Sequence, residues 1–234
     1  MVEKNKFKNK SLDIKLILKS ILIFIVFLAI TFISAGRIDY WQGWVFNGLN
    51  IFFIVLTYII LLNTKDLIKE RLKPGKGMKK WDKIYYLTST PIFFIMFIIS
   101  ILDAGRFEWG LQVPIGLIIF GVILYIIGQT IVLWAKQTNK FFSSVVRIQS
   151  DRNQKVCKDG PYRFIRHPGY AGGILFTIAI PFVLGSFLGL IPLPFTIVLI
   201  FIRTYLEDKT LQKELIGYMD YIKEVKYRIL PGIW

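Results

Sequence analysis

Six apolar runs, separated by charge or by turn residues, restrict this chain more than any other feature. Runs at 14–35, 44–62, 84–102, 113–135 and 170–190 are each long enough to cross a bilayer as a helix, and a sixth begins at 195–202. The hydrocarbon layer is ~30 Å thick and takes roughly 20 helical residues to span. A chain inside it must satisfy its own backbone, which points to helices. The sequence is 54% hydrophobic with a mean hydropathy of +0.54, too apolar for an ordinary soluble domain. The expected fold is therefore all-α, a polytopic membrane bundle of about six transmembrane helices. Residues 1–13 read as a mobile polar arm, and 209–234 as an amphipathic helix ending at Pro231-Gly232. No small-residue cleavage site follows the first run, so that run reads as a retained helix.

Charge sets the orientation. Thirty Lys and Arg against fifteen Asp and Glu give +15. The excess falls at the N-terminus, in 63–83, in 136–169 and in the tail, whereas 36–43, 103–112 and 191–194 lack it. By the positive-inside rule both termini are cytoplasmic. The basic loops then face anionic lipid, so the expected partner is the bilayer and not nucleic acid. The lysine, isoleucine and asparagine bias suggests an AT-rich prokaryotic genome and hence a prokaryotic plasma membrane. The chain divides at 135 into an N-terminal four-helix region and a C-terminal region, 136–234, within one integrated domain. One cysteine, Cys157, excludes an internal disulfide. One histidine and no clustered carboxylates argue against a catalytic metal.

The polar stretch with most chemistry is Lys158-Asp159-Gly160-Pro161-Tyr162-Arg163-Phe164-Ile165-Arg166-His167-Pro168-Gly169-Tyr170, which holds the single histidine. Gly160-Pro161 breaks the chain and Pro168 suits a helix start. The free N–H groups of that new helix, with two arginines upstream, are expected to form an anion site at the membrane surface. His167 has a plainer reading too, as a structural cap of the next helix.

The sixth helix carries Arg203, Glu207 and Asp208. At ~1.5 Å per residue from Pro192–Pro194, they fall about 15–20 Å along it, inside the cytoplasmic leaflet. Ionisable groups at that depth usually face a protein cavity. Arg203 and Glu207 share a helix face. Two readings stand: an intrahelical salt bridge closing a helix end, or a polar pocket facing the His167 loop.

With these residues in hand, the chain from Trp134 onward resembles the isoprenylcysteine carboxyl methyltransferase and phospholipid methyltransferase superfamily. The resemblance rests on Asn139-Lys140-Phe141-Phe142-Ser143, Val146-Arg147-Ile148-Gln149, the Gly160 to Tyr170 stretch, and Arg203-Thr204-Tyr205-Leu206-Glu207-Asp208. It continues through Gly217-Tyr218 with Tyr221 to Tyr227-Arg228-Ile229-Leu230-Pro231-Gly232-Ile233-Trp234. The turn Asp39-Tyr40-Trp41-Gln42-Gly43-Trp44 resembles a bacterial branch. The resemblance implies S-adenosyl-L-methionine as methyl donor, S-adenosyl-L-homocysteine as product, and a lipidic or small hydrophobic acceptor entering from the bilayer. It implies cofactor contacts from Val156, Gly160, Tyr162, Arg163, Arg166, His167, Pro168, Tyr170, Glu207 and Asp208, with Arg203 and Glu207 as catalytic residues. Gln154 stands where many relatives have histidine, and Asp208 is shorter than the glutamate common in eukaryotic members.

Two other functions compete. Membrane sterol reductases share a similar histidine-proline element and use NADPH. A non-enzymatic scaffold binding anionic lipid would need only the basic loops.

Overall fold

The apolar runs fold as helices, and their ends are set by prolines, glycines and a few buried acids. The computed structural model describes residues 2–62 and 77–234, with side chains at 17–60 and 77–234. Helix α1 is Val2–Ala35, α2 Trp41–Leu62, α3 Lys80–Ile101, α4 Ile115–Thr138, α5 Pro168–Val183, α6 Leu193–Glu214 and α7 Tyr218–Glu224. Most of the basic loop 63–83 lies outside the described residues. Among the described residues, five helices are long and apolar enough to cross a membrane, and Pro168–Val183 is apolar but shorter. The chain is thus an all-helical integral membrane bundle.

Three elements differ from expectation. The polar arm 1–13 continues the first helix from Val2, because its lysines are good helix formers. The run 170–190 is α-helical only to Val183, with a 3-10 turn at Leu188–Leu190. Gly185, at φ +76, ends it. Gly185 N–H donates to the Phe182 carbonyl and Ser186 N–H to the Pro181 carbonyl, at 3.0 and 2.9 Å. That pair of bonds is a Schellman cap. The tail is not one amphipathic helix. α6 runs on to Glu214, α7 is a separate short helix beyond Gly217, and the chain after Val225 is irregular. This last segment lies along the histidine loop, where Arg166 and His167 N–H groups donate to the Tyr227 and Arg228 carbonyls at 2.9 and 2.8 Å. Those bonds supply the backbone partners that a continued helix would have supplied.

Helices α4 and α5 approach most closely at glycines. A Cβ on Gly128 would meet the Gly172 carbonyl oxygen at 2.6 Å, and one on Gly172 would meet the Gly128 oxygen at 2.4 Å. Small residues let membrane helices pack backbone to backbone, and this contact fixes the first turns of α5 against the middle of α4. The core between helices is aromatic, with Tyr40, Phe46, Phe97 and Tyr125 all buried. At the low-charge end, Asp103 accepts from Gly110 N–H at 2.7 Å and from Ser186 Oγ at 2.6 Å, while the Tyr40 hydroxyl donates to the Leu184 carbonyl. These bonds tie the expected outer turns together. The other end carries the 139–167 loop, α7 and the tail, packed on a second cluster of Ala135, Tyr162, Leu215, Tyr218, Tyr221 and Val225.

Candidate active site

A cavity of about 560 Å³ opens where the 139–167 loop meets α3, α4, α5 and α6. That volume suits a cofactor-sized ligand. Its loop end is polar, with Tyr162, His167, Tyr170 and Glu207, and its other end runs into the bundle past Phe93, Val132, Phe176 and Ile200. α5 and α6 run antiparallel, so the start of one and the end of the other meet. His167 and Glu207 accordingly face the same space.

Glu207 is half-buried, and its Oε2 accepts from the Tyr170 hydroxyl. Among the described residues no bond to its Oε1 is seen. Arg203 does not pair with Glu207, which removes the intrahelical bridge. It instead donates from Nε and Nη2 to Asp82 at 2.9 and 3.4 Å, and from Nη2 to the Ser144 carbonyl at 2.7 Å. Its guanidinium lies 4.6, 4.8 and 5.5 Å from the ring centres of Tyr85, Tyr86 and Tyr170. Asp82, wholly buried in the first turn of α3, also accepts from Val146 N–H at 2.7 Å. One buried ion pair therefore clamps α3, α6 and the 144–146 loop around the cavity.

Asp208 lies behind the cavity wall and is fully buried. Arg166 donates to both its oxygens, at 2.9 and 3.2 Å, and Arg228 and Gln212 donate to Oδ2 at 2.9 and 2.8 Å. The Tyr218 hydroxyl donates to Oδ1 at 2.8 Å, and His167 Nε2 sits 3.2 Å from the same oxygen. This carboxylate has its acceptor capacity filled. Burial, and then the Asp208 charge beside it, push the Tyr218 phenol well above its ordinary pKa. Tyr218 therefore stays a hydrogen-bond donor. Arg166 spends its remaining Nη1 on the Val225 and Lys226 carbonyls at 2.9 and 2.7 Å.

The expected residues thus divide. Val156, Tyr162, Arg166, His167, Pro168, Tyr170, Arg203 and Glu207 line the cavity, whereas Gly160, Arg163 and Asp208 do not. Arg163 is exposed, 3.5 Å from Asp159. With Arg166 engaged by Asp208 and Arg163 turned out, the two arginines do not form the anion site expected at the start of α5. His167 precedes α5 without a side-chain cap bond. Its imidazole turns to Asp208 instead. Burial also raises the Tyr162 phenol, whose hydroxyl receives the Asn139 amide at 3.4 Å. Gln154 lines the cavity and accepts from Gln149 N–H at 2.7 Å.

Sequence reasoning missed Asp82, Tyr85 and Tyr86. Asp82 sits in a dense basic stretch that reads as solvated loop. Its one signal is its place two residues before an apolar run. Tyr218 and Arg228 are within the quoted motifs, yet their use as partners of Asp208 depends on a tail fold that no spacing reveals.

Residues 117–215 match the family model described as phospholipid methyltransferase. Two probable protein-S-isoprenylcysteine O-methyltransferases of rice, from Oryza sativa subspecies indica and japonica, are 36% identical over 59 residues, 25% of this chain and 31% of theirs. The match thus spans about a third of the length of those curated relatives. The fold is similar to that of the eukaryotic intramembrane Ras methyltransferase, isoprenylcysteine carboxyl methyltransferase. That comparison has a TM-score of 0.52 and 18% identity over 90% of this chain and 74% of the other. The chain is thus similar to the phospholipid methyltransferase family over residues 117–215, and its fold is similar to that of an isoprenylcysteine carboxyl methyltransferase.

Proposed function

We propose that the chain is an S-adenosyl-L-methionine-dependent methyltransferase acting on a lipidic or small hydrophobic acceptor at the cytoplasmic membrane face. The observation that carries this is a continuous cavity joining a polar loop end to a largely apolar intramembrane end. The polar end fits the donor. Glu207 offers a carboxylate for its amino group or ribose hydroxyls, and the phenols of Tyr162 and Tyr170 frame it. Lys136, Arg147 and Lys155 border the cavity and supply positive charge for its carboxylate. When bound, the donor supplies an electrophilic methyl group on a sulfonium.

The protein's part is alignment in a dry site, since methyl transfer is an in-line displacement. Arg203 holds the wall of the cavity through Asp82 and Ser144 and keeps its charge beside Tyr170. The Tyr170 hydroxyl fixes the Glu207 carboxylate. For an amine or thiol acceptor, Glu207 takes the proton, and for a carboxylate acceptor no base is needed. Asp208, with Arg166, Arg228 and Tyr218, holds the histidine loop and the tail against α6. The basic loops are on the cytoplasmic side, with both termini, in a prokaryotic plasma membrane.

The test is transfer of labelled methyl from S-adenosyl-L-methionine by the protein in proteoliposomes. Separate trials use N-acetyl-S-farnesylcysteine and phosphatidylethanolamine. Label in either product, lost in Glu207→Gln for the amine, supports the reading. Unlabelled products together with NADPH binding would favour a reductase instead.

A further inference from the structure

The intramembrane end of the cavity is not uniformly apolar. Ser89 on α3, Gln129 on α4 and Thr177 on α5 all line it. Ser89 is nine residues from Lys80, Gln129 nine from Thr138, and Thr177 nine from Pro168. Each is therefore about 13 Å from the loop-side end of its own helix. Inside the hydrocarbon layer an unpartnered polar side chain is costly, so such groups pair across helices or with a ligand.

The Thr177 hydroxyl is spent on its own helix, donating to the Gly173 carbonyl at 2.8 Å. Thr88, Ser100 and Thr204 return their hydroxyls to carbonyls three or four residues back. Ser89 makes no such bond among the described residues. The Gln129 amide lies beside Tyr125, whose fully buried hydroxyl finds no partner of proper geometry. Ser89 and Gln129 both line the cavity, and a pure hydrocarbon tail would leave their hydroxyl and amide unsatisfied.

Resting on the methyltransferase reading, we infer that the acceptor is not a plain hydrocarbon chain. It carries a neutral hydrogen-bonding group, a hydroxyl, carbonyl or amide, about 10 Å below the atom that is methylated. Glu207 marks the reacting level. Ile200, seven residues earlier on α6, lies ~10 Å deeper and borders the same apolar end. Ser89 and Gln129 are the specificity residues for that group.

The experiment uses full-length protein in detergent. It is first titrated with S-adenosylhomocysteine, then, saturated with it, with dodecanoic acid and with 9-hydroxydodecanoic acid. The hydroxylated probe is expected to bind about tenfold tighter. The difference disappears in Gln129→Leu and in Ser89→Ala, with S-adenosylhomocysteine affinity unchanged. Equal affinities in the wild type, binding of neither acid, or a preference that survives both substitutions would overturn the inference. A wild type that fails the first titration overturns the cofactor reading and the inference together. Failure at the second step leaves the cofactor reading standing.

Discussion

Replacing Asp208 by Asn probes the division between residues that touch the cavity and residues that hold it. The carboxylate balances two arginines. The Arg166 side chain is 3% exposed and the Arg228 side chain 24%. Asparagine keeps the size but removes the charge and turns one acceptor into a donor facing donors. Arg166 is then a buried cation without a counterion, a loss of roughly 3–5 kcal/mol when one member of such a pair is removed. Arg228 adds little, since water reaches it. For a chain of this size that is a fall in Tm of about 6–20 °C. The assay is thermal unfolding in detergent beside S-adenosylhomocysteine calorimetry below the transition. Adding Arg166→Gln to Asp208→Asn should cost much less than Arg166→Gln alone, because the two share one interaction. An Asp208→Asn protein that melts within about 1 kcal/mol of wild type yet loses the ligand would refute the reasoning. Asp208 would then contact the cofactor directly.

Three further outcomes follow from the same geometry. Arg203→Lys, which loses the fork to Asp82 and the stacking on Tyr85 and Tyr86, should lower methyl transfer at least tenfold with a smaller change in S-adenosylhomocysteine affinity, read by steady-state kinetics beside calorimetry. Gly172→Ala drives a methyl against the Gly128 carbonyl and should destabilise the α4–α5 pair by about 1–3 kcal/mol, measured by thermal unfolding. Cys157 should alkylate more slowly than a free thiol at pH 7.5, because burial raises its pKa and leaves less thiolate. Mass spectrometry of iodoacetamide labelling checks this.

The helices were legible because a bilayer imposes length and apolarity, which composition carries directly. Their interruptions were partly legible. Gly185 reads as a turn only once its left-handed cap is seen, since the sequence around it stays apolar on both sides. The histidine loop and the Arg203 to Asp208 stretch stood out because charge inside an apolar run is costly. The partners of those charges did not stand out. Asp82 and Arg203 are 121 residues apart and Arg166 and Asp208 are 42 apart, and long-range pairing leaves no period in a sequence. Hence Glu207 and Asp208, neighbours in the chain, could not be assigned their different surroundings: one on the cavity wall, the other behind it.

The central claim is that the polar end of the cavity holds S-adenosyl-L-methionine. It is tested most directly by calorimetric titration of the purified protein with S-adenosylhomocysteine, against NADPH as the competing cofactor. The account predicts one saturable site for S-adenosylhomocysteine, weakened at least tenfold in Glu207→Gln and unchanged in Arg163→Ala, with no heat from NADPH. Saturable NADPH binding without S-adenosylhomocysteine binding would contradict it.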